Sequence, residues 1–414
     1  MATHSDAAGE PASLRSQRPF AFFWCARLAS TIAYQMQAVA VGWQVYDLTG
    51  SAFDLGMIGL VQFVPMALLT LAVGHVADRY DRRLVIRACQ VVEAVAAATL
   101  AVGTFGGWIT AEAIFAFVFI LGSARAFEQP SLHALVPALV PPPLFSRAVA
   151  GSASANQTAI ILGPALGGLI YIVGPAAVYA TSAISFAVAS VAVSFIRIDA
   201  PLRTADRPGF RSLFSGFVFI RQRPAVLGAI SLDLVAVLLG GATALLPIYA
   251  RDILIIGPWG LGLLRSAPAL GALATSILLA RHPLAWRAGP SLFVAVAAFG
   301  VATIVFAVST VLPLSFVALA ALGAADTVSV VIRFSLVQLQ TPNELRGRVS
   351  AVNSMFIGAS NSLGEFESGV TAAWFGAVPA ALMGGMGTIL VALVWLRAFP
   401  ELVHTGRLED LRRP

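Results

Sequence analysis

The stretch LGMIGLVQFVPMALLTLAVGHVADRYDRR, residues 55–83, runs from Leu55 to Val73 without a charged side chain. It then places Asp78, Arg79, Asp81, Arg82 and Arg83 within six positions. An α-helix rises about 1.5 Å per residue, so about twenty apolar residues cross a hydrocarbon core of about 30 Å. The segment therefore reads as a transmembrane helix closed by a charged turn. Outward from it the same pattern repeats, with spans expected at 20–46, 53–77, 84–106, 109–136, 146–173, 176–197, 225–250, 258–280, 290–312, 314–340, 349–372 and 377–399. A lipid-embedded backbone must satisfy its own hydrogen bonds, which restricts spans to helices or closed barrels. A barrel would alternate in strands of about ten residues, and these runs do not alternate. The expected fold class is an all-α polytopic membrane protein of twelve transmembrane helices in two six-helix pseudo-repeats.

Composition agrees. Of 414 residues 58% are hydrophobic and 11% charged, with a mean hydropathy of +0.85, against about 25% charged in soluble domains. The formal charge of +6 does not mark a nucleic-acid surface, because the arginines sit at span ends. With the N-terminus inside, Arg15, Arg18, Arg79, Arg82, Arg83, Arg87 and Arg147 fall on one side. Arg197, Arg203, Arg207, Arg211, Arg221, Arg223, Arg281, Arg287, Arg346 and Arg348 join them, leaving essentially Arg251 opposite. Arginine-rich loops are cytoplasmic, so both termini are expected in the cytoplasm. Residues 1–18 are polar and expected to be disordered; no short apolar core with a cleavage site follows, so the first run is a helix rather than a signal peptide. Cys25 and Cys89 form no disulfide framework or metal-ligand spacing.

The expected organisation is an N-terminal bundle at 19–197, a cytoplasmic linker at 198–224, a C-terminal bundle at 225–399 and a tail at 400–414. Within the linker Phe210, Leu213, Phe214, Phe217 and Val218 recur at helical spacing, which predicts an amphipathic helix at the interface. The bundles repeat. Shifted by 201 residues, LGSARAFEQP (121–130) falls on LGAADTVSVV (322–331), Arg147 on Arg348, Gly163 on Gly364 and Gly168 on Gly369. Earlier in each half the shift is 203–206, placing LGM (55–57) on LGL (261–263). Parallel repeats of this kind put a substrate site at mid-bilayer between the halves.

Two strings carry further information. GHVADRYDRR (74–83) is a tight turn whose Asp78, Arg79, Asp81, Arg82 and Arg83 can latch helix ends. In the fifth span Ala155, Ala159 and Gly163 recur every four residues into GPALGG (163–168), where Gly163, Gly167 and Gly168 allow close helix approach and Pro164 permits a bend. The first string resembles the loop motif between helices two and three of the major facilitator superfamily, and the second resembles the fifth-helix motif of its drug antiporters. LGMIGLVQFVPMALLTLAVGHVADRYDRR and ELRGRVSAVNSMFIGASNSLGEFESG resemble the branch of siderophore exporters and macrolide-efflux proteins. The resemblance spans nearly the whole chain and implies a proton-driven exporter alternating between inward-open and outward-open states in a bacterial inner membrane. Two departures stand out. Asp81 occupies a glycine position of the motif, and the second-half loop RHPLAWRAG (281–289) lacks acidic residues.

An ionised group at mid-bilayer costs about 3 kcal/mol even on insertion scales, so charges inside spans mark a cavity or a partner. Arg125 and Glu128, three apart, predict an internal ion pair. Asp326, Ser329 and Arg333 form a stripe on the tenth span. Helices one, four, seven and ten line the cavity in the resembled fold, which would let Arg125 and Asp326 face one another. Asp233 has no basic residue within a turn, and with Asp326, Glu365 and Glu128 it is a proton-coupling candidate; Glu93, in a span usually peripheral, is a weaker one. Tyr34, Gln37 and Gln44 share a stripe on the first span. Tyr34, Gln37, Gln62, Arg125, Phe127, Ser329 and Arg333 are the candidate cavity lining, suited to an amphipathic, partly aromatic small molecule. Arg265 either snorkels outward or meets an anionic substrate.

No phosphate-binding G-x-x-x-x-G-K-[ST] loop occurs, and no catalytic constellation is present, so neither nucleotide, cofactor nor metal is expected. The expected partners are a small-molecule substrate, protons and the lipid bilayer. Alternatives are uptake or facilitated movement of a metabolite, and a non-transporting membrane sensor or assembly factor.

Overall fold

The structure, a computed structural model, describes residues 14, 17–197, 210–282 and 287–406; for 70–75, 77–79, 210–215, 343 and 344 it gives the backbone alone. The expectations for 1–13, 198–209 and 407–414 lie outside the described residues. The first half contains α1 (Arg18–Thr49), α2 (Ala52–Arg79), α3 (Arg82–Phe105), α4 (Ala111–Leu135), α5 (Phe145–Ile170) and α6 (Pro175–Ser194). A shorter α7 (Phe210–Gln222) follows, where the amphipathic pattern places a helix; its Gly216 packs on the Arg348 backbone. The second half contains α8 (Pro224–Leu239), the single turn α9 (Leu246–Ile248), α10 (Gly257–Arg281), α11 (Ala288–Val308), α12 (Leu312–Gln340), α13 (Asn343–Phe375), α14 (Ala377–Ala398) and α15 (Pro400–Val403).

Eight helices are long and apolar enough to cross a membrane among the described residues. The other four long helices, α1, α4, α5 and α13, carry the polar residues that dilute their apolar runs. Gln35, Gln37 and Gln44 lie on α1, Arg125 and Glu128 on α4, Asn156 and Gln157 on α5, and Asn361 and Glu365 on α13. Low apolarity here marks helices whose polar faces turn inward, not helices that fail to span.

The seventh span differs from the continuous helix expected at 225–250. It breaks at Gly240–Gly241 and continues as a 3-10 turn (Ala242–Leu245), α9 and a π turn (Tyr249–Ile253). The break allows close approach, since a Cβ on Gly241 would lie 2.5 Å from the Gly364 carbonyl carbon and 2.8 Å from Ser368 Oγ. The freed backbone borders a cavity, as irregular backbone at membrane depth requires.

The internal repeat reappears as equivalent contacts. Gly163 packs on Ile32 and Gln35 of α1, and its counterpart Gly364 packs on Val237 and Leu238 of α8. Gly168 meets Gly262 of α10, and its counterpart Gly369 meets Gly56 of α2. Gly56 and Gly262 are themselves the residues matched in the LGM and LGL strings. The two halves are thus joined by a pair of glycine–glycine crossings, α5 with α10 and α2 with α13, where backbones come closer than side chains would permit.

These joins concentrate at the end remote from the chain termini. There Val39 and Leu55 of the first half share one core with Leu245, Leu261, Leu264, Phe306 and Leu319 of the second. Towards the termini each half has a separate core, one around Phe23, Leu132 and Ala148, the other around Val226, Leu292 and Leu336. Across the far end Tyr46 Oη donates to Asp252, Arg251 Nη1 lies 3.1 Å from Asp47 Oδ1, and the Arg251 guanidinium stacks over Tyr46. The halves are closed at that end and part towards the termini.

At the opposite end Asp81 caps α3, accepting from the Arg83 backbone N–H at 2.9 Å and pairing with the Arg83 guanidinium at 2.6 Å. Arg82 donates to Ala134 O at 2.8 Å and Arg83 Nη1 to Ile196 O at 3.1 Å, tying α3 to the carbonyl-rich ends of α4 and α6. Among the described residues these contacts of Asp81, Arg82 and Arg83 lie within the first half; the Asp78 and Arg79 side chains lie outside the described residues. Hydrogen bonding to Arg83 holds the Asp81 carboxyl below its ordinary range. A depressed folded-state value stabilises above the unfolded value and is lost as pH falls through the folded one. Asp81→Ala is expected to cost about 1 kcal/mol at neutral pH through the lost cap. Asp81→Asn should cost less, and its deficit should close as pH falls below the carboxylate range; thermal melts at neutral and acid pH check both.

Candidate functional site

A cavity of about 180 Å³ lies between the halves, lined among others by Tyr34, Gln37, Gln62, Gly122, Arg265 and Glu365. α1 supplies Tyr34 and Gln37 from successive turns of one face, and α2 supplies Gln62, which accepts a hydrogen bond from Tyr34 Oη at 3.3 Å. Both amide atoms of Gln37 are buried and unpartnered among the described residues, leaving a donor and an acceptor for a bound molecule. Arg265 neither snorkels nor faces lipid; it projects from α10 into the cavity, with Nη2 3.3 Å from a Cβ built on Gly42. Glu365, from α13, is the acidic group of the same wall, packed on Gly59 of α2.

Glu365 also borders a second cavity, of about 350 Å³, lined by Gly240, Gly241, Thr243, Asp326 and Asn361 among others. Asp326 continues into a small pocket shared with Asp233 and Ser329. The second half thus carries a polar file from Glu365 through Asp326 to Ser329 and Asp233. Asp233 is not unpaired as the sequence spacing indicated. Arg333 of α12 forms an ion pair with it, with side-chain exposures of 3% and 8%. A partner from another helix is invisible to a search within one turn. Arg333 is for the same reason a partner of Asp233 rather than cavity lining. Glu367 turns away, accepting from Thr371 Oγ1 at 2.8 Å.

In the first half the expected Arg125–Glu128 pair forms, Nη1 to Oε2 at 2.6 Å, with Glu128 fully buried. Ser30 Oγ donates to Glu128 Oε1 at 2.7 Å and Gln90 Nε2 to the same oxygen at 3.0 Å. With its amide oxygen turned towards Arg125, Gln129 accepts from Nη2 at 2.6 Å and Nε at 3.0 Å. The guanidinium also lies 4.7 Å from the Tyr34 ring centroid, a cation–π contact that ties the network to the cavity. Arg125 is therefore engaged in its own half and does not face Asp326. Phe127 is half-buried, and its carbonyl accepts from Ser131. Gln44 leaves the stripe drawn for α1: it accepts from Tyr179 at 2.8 Å and donates to Thr104 at 3.2 Å, between α3 and α6. The carboxyl of Glu93 is buried and unpartnered among the described residues and sits within electrostatic range of Glu128 and Arg125. A carboxylate one helical turn after Gln90 inside a span is the signal that the sequence offers for it.

A duplicated twelve-span bundle with a polar cavity at its pseudo-symmetry plane meets a direct counterpart among known families: residues 9–406 match the model described as transmembrane secretion effector. The chain belongs to that family, within the major facilitator superfamily. It is 25% identical over 402 residues to the enterobactin exporter EntS of Escherichia coli (strain K12), covering 94% of each chain. It is 28% identical over 210 residues to macrolide efflux protein A of Streptococcus pyogenes, 49% of this chain; the match spans about half (51%) of that relative's length. The fold matches the crystal structure of a mutant of the nucleoside transporter NupG, with a TM-score of 0.75, 12% identity and coverage of 92% and 100%. It also matches a bacterial homologue of the human lysosomal transporter Spinster, inward-facing and unoccupied, with a TM-score of 0.74, 13% identity and coverage of 97% and 100%. The family consists of membrane transporters rather than enzymes.

Proposed function

We propose that the protein is a proton-coupled exporter of a siderophore or amphipathic drug-like small molecule, working by alternating access in a bacterial inner membrane with both termini cytoplasmic. The arginine bias of the loops supports that orientation, in which the end that parts is cytoplasmic and the conformation is inward-open. The observation that carries the reading is the place of Glu365. It stands in the wall between the central cavity and the Asp326 cavity, packed on α2 of the other half and within electrostatic range of Arg265. A carboxyl group at that seam senses both a ligand between Tyr34, Gln37 and Gln62 and the rocking of one half on the other. Proton binding there compensates the loss of its interaction with Arg265, which favours the return of the empty carrier. The relatives named for enterobactin export and macrolide efflux support the direction and substrate class.

The test is movement of radiolabelled erythromycin and of iron-free enterobactin in oriented proteoliposomes with an imposed pH gradient. Gradient-driven transport is expected from the wild type, and Glu365→Gln should lower it on the order of tenfold or more, the scale of a typical coupling between two sites. Export unchanged by collapse of the gradient would remove proton coupling, and net inward movement would remove the direction.

A further inference from the structure

Glu93, in the middle of α3, is fully buried, and neither carboxyl oxygen has a hydrogen-bond partner among the described residues. One turn earlier, on the same helix face, Gln90 is also fully buried. Its Nε2 donates to Glu128 Oε1 at 3.0 Å, whereas its own Oε1 is unpartnered. Glu93 Oε1 and Oε2 and Gln90 Oε1 are thus three buried acceptor oxygens that receive no hydrogen bond among the described residues. An ionised carboxylate can only accept; the neutral acid brings one O–H to donate, and Gln90 Oε1 is an acceptor one helical turn away.

The surrounding charges lead the same way. Glu128 and Arg125 of α4 and Tyr34 of α1 act on Glu93, and Cys89 is its thiol neighbour on α3. At this level α6 presents the apolar Phe186 and Ala183 beside Ala94 and Ala97. Arg125 is already matched to Glu128, and Arg27 of α1, itself 3% exposed, also acts on Glu128 and Arg125, so both cations bear on Glu128 while Glu93 has no ion-pair partner among the described residues. Ionising both carboxyl groups would leave the Glu93 carboxylate buried beside a like charge with nothing donating to it. A single proton on Glu93 removes that charge and supplies the missing donor.

We propose that Glu93 and Glu128 form a proton-binding site holding one proton between them, resident on Glu93 while Arg125 is paired with Glu128. This deepens the reading of proton-coupled export and rests on it. The bond made is an O–H bond on a carboxylate lone pair, with the proton taken from water and returned to water; nothing is oxidised or reduced. Arg125 connects the site to the central cavity through the face of Tyr34. A ligand that draws Arg125 towards the cavity takes its ion pair from Glu128, leaving Arg27 as the remaining cation there, and makes Glu128 a better proton acceptor than it was. The first half thereby gains a proton site of its own, apart from the Glu365–Asp326 file of the second.

Infrared spectroscopy of the full-length protein in lipid nanodiscs tests this through the C=O stretch of a protonated carboxyl group at neutral pH. In a background carrying Glu365→Gln and Asp326→Asn, which silences the second-half file, the protein should show a deuterium-sensitive band that Glu93→Gln abolishes and Glu367→Gln retains. Glu93→Gln should melt within about 2 °C of the wild type, because an amide replaces a neutral acid. Glu128→Gln should also abolish the band, since Arg125 then has only Glu93 to pair with. The absence of such a band in that background, or a band that survives Glu93→Gln, overturns the proposal. The spectrum reads protonation without transport, so the erythromycin assay can fail for proton coupling while the band stands, and the reverse.

Discussion

Arg333→Met is expected to lose about 3–5 kcal/mol of stability, the scale for removing one partner of a buried ion pair. Asp233 would then keep a carboxylate at 8% side-chain exposure with its cation gone. Its surroundings on α8 and α12, Ile230, Ala236, Ile332 and Leu336, offer no replacement charge. Asp233→Leu alone should be comparably costly, because it strands the guanidinium. The double variant Asp233→Leu/Arg333→Met should recover most of the loss, since two apolar side chains need no desolvation compensation. Thermal melting of the four proteins in one detergent closes the double-mutant cycle. A coupling near zero would mean that the pair is not formed in the membrane. Full gradient-driven export by the double variant would assign the pair to structure alone, leaving Glu365 and Asp326 as the coupling groups of that half.

Gly168→Val should drive the halves apart at their closed end. A Cβ on Gly168 would sit 2.5 Å from Pro258 O and 3.0 Å from Gly262 Cα, and both are backbone atoms that no rotamer change can move aside. Overpacking of this kind costs about 1–3 kcal/mol. Here the strain exists only while α5 and α10 are crossed, so opening the far end relieves it. The population of that open state should rise by about 5- to 150-fold. Spin labels at Leu48→Cys and Trp259→Cys, both exposed near the closed end, would report a longer distance by double electron–electron resonance in a background lacking Cys25 and Cys89. Gly369→Val, at the pseudo-symmetric crossing with Gly56, should act in the same direction. An unchanged distance distribution with unchanged melting would show that the glycine crossings do not hold the closed end shut.

Much of this was legible in the sequence because one dimension carries it. Apolar length gives spans. The 201- and 206-residue shifts anticipated that Gly168 and Gly369, and likewise Gly262 and Gly56, play equivalent parts, which the two crossings show. Arg125–Glu128 was readable because partners three apart on a helix share a face. The seventh-span break was missed despite the Gly240–Gly241 pair, because apolar content stays high across it and only the approach of α13 gives the glycines their purpose.

Partnership between distant charges was a different matter. Asp233 with Arg333 and Glu365 beside Arg265 each join helices separated by many residues, and hydropathy says nothing of which faces meet. Glu93 looked peripheral for the same reason: only packing brings its carboxyl within range of Arg125 and Glu128. The order of apolar runs dictated that this protein enters a membrane as twelve helices in a doubled pattern, since in lipid the backbone must satisfy its own hydrogen bonds and these runs lack the alternation of barrel strands. Which buried charges find a partner and which face the shared cavity was decided by packing, because the cost of a charge in an apolar medium depends on the atoms within a few ångströms and not on their order along the chain.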